Sequence, residues 1–356
     1  MPLVLASFAV LVAILAATGV FKKSEELLNE FAGIKTNIRK KLYDFENTVL
    51  GEIPGYRDHF MHQFIVFLIG TYIIDTLLSH KYHFEKREDN LENEWIVTAI
   101  FHDIAYTIAQ IENWLPMIAE VLFEGSKNIV TSPQYLNVLV EPVNEYYLYL
   151  DKIGDALEEI TGFSKRDFLS KSLQRLAHGD HGLLSAMSLL KNINSEKISP
   201  DKCALPIALH TMMLSNLKKN LDVLGIGTIK FSKMPRTFLL LYCDNLHEWM
   251  RNLGMGVNIE DIKNNQNALK LFVEKKKPEI FEKSNQLKQE LEEGGNDNAL
   301  YVHAEMIVTK NNYGMKAKQL TELFKILDSK NPVFSINLNN KVLFNSFNQG
   351  VDNINQ

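Results

Sequence analysis

The chain is short of cysteine. Its 356 residues hold two, Cys203 and Cys243, set among apolar residues in "DKCALPIALH" and "LLLYCDNLHEW". A disulfide framework is therefore excluded, and no CxxC pair exists to hold zinc through sulfur. Both are read as reduced, buried thiols in a reducing compartment. A phosphate-cradling glycine loop is missing, and so is any internal repeat. Neither sign of charge dominates: 38 Lys and Arg against 43 Asp and Glu leave a net charge of -5. That balance argues against a protein built mainly to hold nucleic acid. Strand-like alternation is nearly absent between Tyr56 and Gly254. A composition of 46% hydrophobic and 23% charged residues is that of a globular chain, so disorder is not the default.

What is present begins with one long uncharged run, "PLVLASFAVLVAILAATGVF", at residues 2–21. At about 1.5 Å per residue, a helix of that length spans a bilayer core of roughly 30 Å. Lys22, Lys23, Lys35, Arg39, Lys40 and Lys41 follow, which places the bulk of the chain on the cytoplasmic side. No Lys or Arg precedes the run, as a secretory signal would require. Residues 1–23 are thus expected to be a membrane anchor. A buried N-terminal helix in a soluble cytoplasmic protein is the alternative.

Residues 24–55 read as an amphipathic linker helix, with Leu27, Leu28, Phe31 and Ile34 at helical spacing, closed by the break "GEIPGY". From 56 to 256 the pattern predicts one all-helical domain. Its candidate helices lie at 57–80, 93–109, 112–125, 132–151, 153–160, 165–177, 181–193, 201–219 and 236–253. Composition shifts after Gly256. Residues 258–298 are charged and expected to be mostly helical. "ALYVHAEMIVT", a helix near 314–329, "PVFSINLN" and "KVLFNSF" then suggest a small β-α-β-β unit, with "NLNNK" as its hairpin turn. The fold class expected is mainly α, with a small C-terminal α+β appendage over 257–350.

The histidines are unevenly placed. "AIFHDIAYT" sets His102 and Asp103 side by side within an apolar run. Burying such groups is costly unless they are paired, hydrogen-bonded or bound to a metal. His59 and His62 start an apolar helix, and His62 shares a face with Val66, Ile69 and Ile73. His178 and His181 stand in "LAHGDHGLLSAMSLL", His210 in "ALPIALHTM", and Asp244 with His247 in "LLLYCDNLHEWM". One inward histidine is ordinarily a satisfied core residue. Five such segments in one helical domain are the pattern by which helical bodies build metal sites. Imidazole and carboxylate suit iron, manganese, nickel or zinc.

This order of residues resembles the HD superfamily of metal-dependent phosphohydrolases. "HQFIV" looks like the first helix, "AIFHDIA" the name-giving dipeptide, and "LLLYCDNLHEW" the last helix. The resemblance spans about residues 56–254. It implies a one-metal set of His62, His102, Asp103 and Asp244. "HGLLSA" and "PIALH" are similar to segments that carry extra histidines in some members, which implies a second ion on His181 and His210. His178 competes with His181 for that place. His181 is favoured because Ser185 and Ala186 then take the small-residue positions.

The implied cofactor is one or two divalent ions: Mn, Fe, Mg, Ni or Zn. The implied activity is hydrolysis of a phosphate ester or anhydride by metal-activated water. The partner would be a small phosphorylated molecule such as a nucleotide or cyclic nucleotide. Asp103, with His59 or His178 as proton carriers, would form the catalytic set. One departure stands out. Many members have Gly-Lys two residues after the dipeptide, whereas this chain has Ala105-Tyr106. Arg57, Lys233 and Arg236 are candidates to hold phosphate instead, because Arg offers a bidentate fork. An HD-type diiron oxygenase and a non-catalytic nucleotide sensor are the competing expectations. A homo-oligomer is compatible with each.

Overall fold

A computed structural model of the chain describes residues 20–34, 40, 44, 59–84, 90–106, 143–162, 164–176, 180–214, 228–246, 269–275, 299–306, 310–338 and 341–344. Residues 2–19 of the expected anchor, Arg57, His178, His247 and the helix expected at 112–125 lie outside the described residues. Among those described, nine helices and six short strands form a mainly helical body with a small sheet docked on it.

Helix α1 spans Val20–Ala32 and α2 spans His59–Ser79. Helix α2 is apolar on every side, which marks a helix surrounded by protein or by lipid. By length and composition alone it could cross a membrane; here most of its apolar stretch is buried in the body. Ile65, Val66, Ile73, Ile74 and Leu77 are fully covered. Helix α3, Leu91–Phe101, lies directly against it. A Cβ at Gly70 would fall 2.0 Å from the Trp95 ring, so only glycine admits that approach. The indole N–H of Trp95 then donates to the Phe67 carbonyl at 3.1 Å. Helix α1 buries Leu28 and Ala32 against this pair, and the Asn194 N–H donates to the Ala32 carbonyl at 2.9 Å. Residues 20–34 therefore belong to the body. The rest of the linker helix expected over 24–55 lies, apart from residues 40 and 44, outside the described residues.

Helix α4, Val143–Thr161, is continuous where two segments broken near Lys152 were expected. Leu150, Ile153 and Leu157 form its buried stripe, and this stripe carries the helix through. Helices α5 (Lys165–Leu176), α6 (His181–Asn192) and α7 (Pro200–Leu214) follow, with α6 and α7 tightly paired. Helix α8, Pro235–Leu246, completes the body. The helix expected at 93–109 stops at Phe101. Residues 102–105 turn, with the Ile104 N–H reaching the Phe101 carbonyl and the Tyr106 N–H the Asp103 carbonyl; 107–109 of the expected helix lie outside the described residues.

The C-terminal sheet has four strands: β2 (Leu269–Glu274), β3 (Tyr301–Met306), β5 (Val333–Leu338) and β6 (Lys341–Phe344), in that spatial order. Strands β3 and β5 run parallel, joined through α9 (Lys310–Phe324); β2 and β6 flank them antiparallel. Leu338 pairs with Lys341, the register expected of a two-residue connection. Strand β2 corrects the helical expectation for its stretch: Leu271 and Val273 alternate inward while Lys270 faces Glu305. The helix expected to reach 329 ends at Phe324. Leu327 and Asp328 instead form β4, parallel to β1 (Ile229–Lys230). Phe334 fills the joint between sheet and body, with its ring centroid 4.5 Å from Phe238 and 5.1 Å from Tyr242. Burying one such ring stabilises by roughly 1.5–3 kcal/mol. The Tyr242 hydroxyl donates to the Ser335 carbonyl at 3.0 Å. The sheet is thereby fastened to α8, the helix that carries Asp244.

Candidate metal centre

Five separate segments bring ionisable groups to one place. His62 comes from the first turns of α2, and His102 with Asp103 from the turn closing α3. His181 opens α6, His210 sits late in α7, and Asp244 late in α8. All six residues named from the sequence as ligands converge. His62, His102, Asp103 and His210 are buried, while the side chains of Asp244 and His181 keep 14% and 23% of their surface. Solvent therefore reaches the cluster from the side of Asp244 and His181.

Asp103 is the centre. Its Oδ2 lies 3.5 Å from the Nε2 atoms of both His62 and His102. Its Oδ1 lies 3.3 Å from His181 Nε2 and 3.2 Å from His210 Nε2. The two carboxylate oxygens thus face two different pairs of imidazoles. His62 Nε2 is 3.3 Å from His102 Nε2 and 2.9 Å from Asp244 Oδ1. Two ligand atoms about 2.1 Å from one ion sit ~3.0 Å apart at a right angle and ~3.4 Å apart at the tetrahedral angle. The observed separations, 2.9–3.5 Å, match that range to within about 0.1 Å.

Proton counting leads to the same conclusion. His102 Nδ1 lies 2.8 Å from the Ala99 carbonyl, and His210 Nδ1 lies 2.6 Å from the Ile207 carbonyl. A carbonyl accepts only, so each Nδ1 carries the proton and each neutral ring turns a bare Nε2 lone pair to the cluster. This is the outer support that metal-binding histidines receive. His62 and His102 then face each other across 3.3 Å with one proton at most between them. A bare His210 Nε2 would oppose the Asp103 carboxylate oxygen. Only a proton or a cation relieves that contact.

The electrostatics agree. Burial pushes His102 down to about 4, against the opposing pull of Asp103, so the ring is neutral at pH 7. Burial also opposes a charge on His210, but the hydrogen bond and charge of Asp103 outweigh it and raise its pKa. Both carboxylates feel burial most, which favours their neutral forms. The neighbouring imidazoles override it and hold Asp103 and Asp244 well below the usual carboxylate range. Acceptors that stay ionised and a ring that stays neutral suit a divalent cation. The residues fit one ion on His62, His102, Asp103 and Asp244, and another on Asp103, His181 and His210.

The other residues named from the sequence divide. His59, one turn before His62, is buried and stacks on Tyr106 with centroids 3.7 Å apart, and Tyr106 meets His181 edge-on at 5.2 Å. His59 is therefore beside the second set. Arg236 is not at the site. Its guanidinium is buried against the Glu94 carboxylate, whose other oxygen accepts the Ser199 N–H at 2.9 Å. A buried cation needs its anion, so Arg236 ties α8 to α3 and has no reach toward a phosphate. That pairing departs from the phosphate role expected of Arg236. Lys233 is exposed in the turn before the start of α8.

Two hydrogen bonds had no place in the sequence reading. The Ser185 hydroxyl accepts the Ala105 N–H at 3.0 Å and pins the turn that carries His102 and Asp103 to α6. Asp180 caps α6 by accepting the Leu183 N–H at 3.0 Å. An Asp directly before an apolar helical run is a start signal that could have found it. No family model matches the chain, and neither a curated protein nor a solved structure does.

Proposed function

We propose that the protein is a metal-dependent phosphohydrolase acting on a small phosphate ester or anhydride, with nucleotides and cyclic nucleotides as the first substrates to test. The observation that carries this reading is Asp103, whose two oxygens are shared between two sets of imidazoles beside a solvent-reached edge. Two bound divalent ions supply an acidified water and positive charge against the phosphoryl oxygens. The protein's own part is to hold the site in place. Asp103 orients four rings, and the carbonyls of Ala99 and Ile207 set two tautomers. His59 and Tyr106 line the side of His181, which suits His59 to pass a proton to the leaving group. Tyr106, at the position of the family's lysine, gives the substrate an aromatic wall and a phenol where relatives offer an ammonium.

The test is release of phosphate or nucleoside monophosphate by protein reloaded with Mn²⁺, Fe²⁺, Mg²⁺, Ni²⁺ or Zn²⁺. Turnover is expected with at least one of these ions, and its loss in Asp244→Asn that remains folded. Protein carrying two ions per chain that turns over no nucleotide or aryl phosphate would refute hydrolysis. A diiron oxygenase would use the same six ligands, while Ala105-Tyr106 in place of Gly-Lys lends weight to a nucleotide sensor without turnover. Dioxygen consumption by the iron-loaded protein, without phosphate release, would select the oxygenase. Membrane attachment through residues 2–21 is a separate proposal, tested by whether the full chain stays with membranes after an alkaline wash.

A further inference from the structure

The two ligand sets differ in how they are held. The first has four protein ligands and the second three, counting Asp103 in both. Within the second set, His210 is tied to its own helix by the Ile207 carbonyl. His181 has no such tie among the described residues, and its ring is also the more exposed. Its position rests on where α6 begins.

That start is governed by one carboxylate. Asp180 Oδ1 accepts the Leu183 N–H at 3.0 Å and the Thr211 hydroxyl at 2.6 Å; Oδ2 accepts the Arg175 Nε–H at 2.6 Å. Arg175 also donates to the Thr211 carbonyl at 2.8 Å. Asp180 directly precedes His181, and Thr211 directly follows His210. A single buried anion thus joins the chain neighbours of both second-set imidazoles. Gly182 presses the same joint closed, since a Cβ there would lie 2.4 Å from Thr211 Oγ1 and 2.8 Å from the Ile207 carbonyl oxygen. None of these contacts touches His62, His102 or Asp244.

We propose that Asp180 is a positioning residue for the second ion alone: through Leu183, Thr211 and Arg175 it fixes the separation of His181 and His210, and so decides whether the centre holds one ion or two. This rests on the two-ion reading of the site but not on the reaction assigned to it. Loss of an outer support of this kind weakens metal binding by about 10–100-fold. The first ion, with four ligands outside the network, keeps its affinity.

The experiment uses the full chain, stripped and titrated with Mn²⁺. Bound metal is counted by elemental analysis, and the electron paramagnetic resonance spectrum separates a coupled pair from isolated ions. Wild type is expected to bind two ions and show the coupled signal. Asp180→Ala is expected to bind the first ion as wild type does, to weaken the second by about 10–100-fold, and to give an isolated-ion spectrum. Asp180→Asn keeps an acceptor for Leu183 and Thr211 and should recover part of the coupled signal. Thr211→Val, nearly equal in volume, should weaken the second ion by a smaller factor and carries the test if Asp180→Ala does not fold. Folded Asp180→Ala or Thr211→Val with an unchanged second affinity and an intact coupled signal would overturn the proposal. A wild-type chain that binds only one ion would overturn the two-ion reading beneath it.

Discussion

Replacing Asp103 by Asn changes the shape of a buried side chain very little and removes the one charge that all four imidazoles share. The second set loses one of its three protein ligands and the first one of four. In the wild type, an ion at a free concentration of 100 times its dissociation constant stabilises the folded chain by about 2.7 kcal/mol, and two such ions by about 5.4 kcal/mol. At about 2.1 cal/mol/K per residue, unfolding 356 residues carries an entropy near 0.75 kcal/mol/K. The expected rise in Tm on loading is therefore about 7 °C. A hundredfold loss of affinity at both positions leaves each ion near its dissociation constant, worth about 0.4 kcal/mol apiece and about 1 °C in total. Scanning calorimetry of stripped and Mn²⁺-loaded protein, at one fixed free metal concentration, measures both numbers. If Asp103→Asn gains as many degrees from Mn²⁺ as the wild type, the shared carboxylate is not a ligand and the reading of the cluster fails.

Three further outcomes follow from the same structure. The raised pKa of His210 in the ion-free protein means that a proton occupies the Nε2 an ion needs, so metal affinity should fall as pH drops through that value. Loading near neutral pH should then release about one proton, measured by titration calorimetry in two buffers of different ionisation enthalpy. With the pKa raised in the folded state, the ion-free His210–Asp103 contact stabilises fully below about pH 6.5 and fades as pH rises through the folded value. Arg236→Ala leaves Glu94 buried without its partner and should destabilise by about 3–5 kcal/mol in urea unfolding. A protein that instead loses substrate affinity with unchanged stability would contradict the placement of Arg236. Gly182→Ala drives a methyl into the Ile207 carbonyl and Thr211, costing about 1–3 kcal/mol in the same assay. Full stability in that variant would show that α6 and α7 are not pressed together there.

His62, His102, Asp103, His181, His210 and Asp244 could be found from the chain alone, for a physical reason. Each stands in or beside an apolar run, where a polar group needs a partner; that these six rather than His59, His178 or His247 form one ligand set is what the resemblance to the HD superfamily implied. The helical character of the body follows from the same periodicity. The weaker readings were those in which local pattern and burial part company. Leu269–Glu274 sits in a charged region, and only pairing with β3 made it a strand. Helix α1 is amphipathic, and what its pattern did not say is that Leu28 and Ala32 pack on α2 and α3.

The chain by itself determined which polar residues fall in apolar runs, because burial energetics depend on residue type and period. Distance did not follow from it. Arg236 stands eight positions before Asp244, yet its charge is matched by Glu94, 142 positions away, and it points elsewhere. Tertiary packing alone decided that Asp103 offers one oxygen to each pair of imidazoles, and that Asp180 joins the starts and ends on which the second pair depends. Those facts are angles and separations between helices, set by how side chains interlock across the core, and no local stretch of sequence contains them.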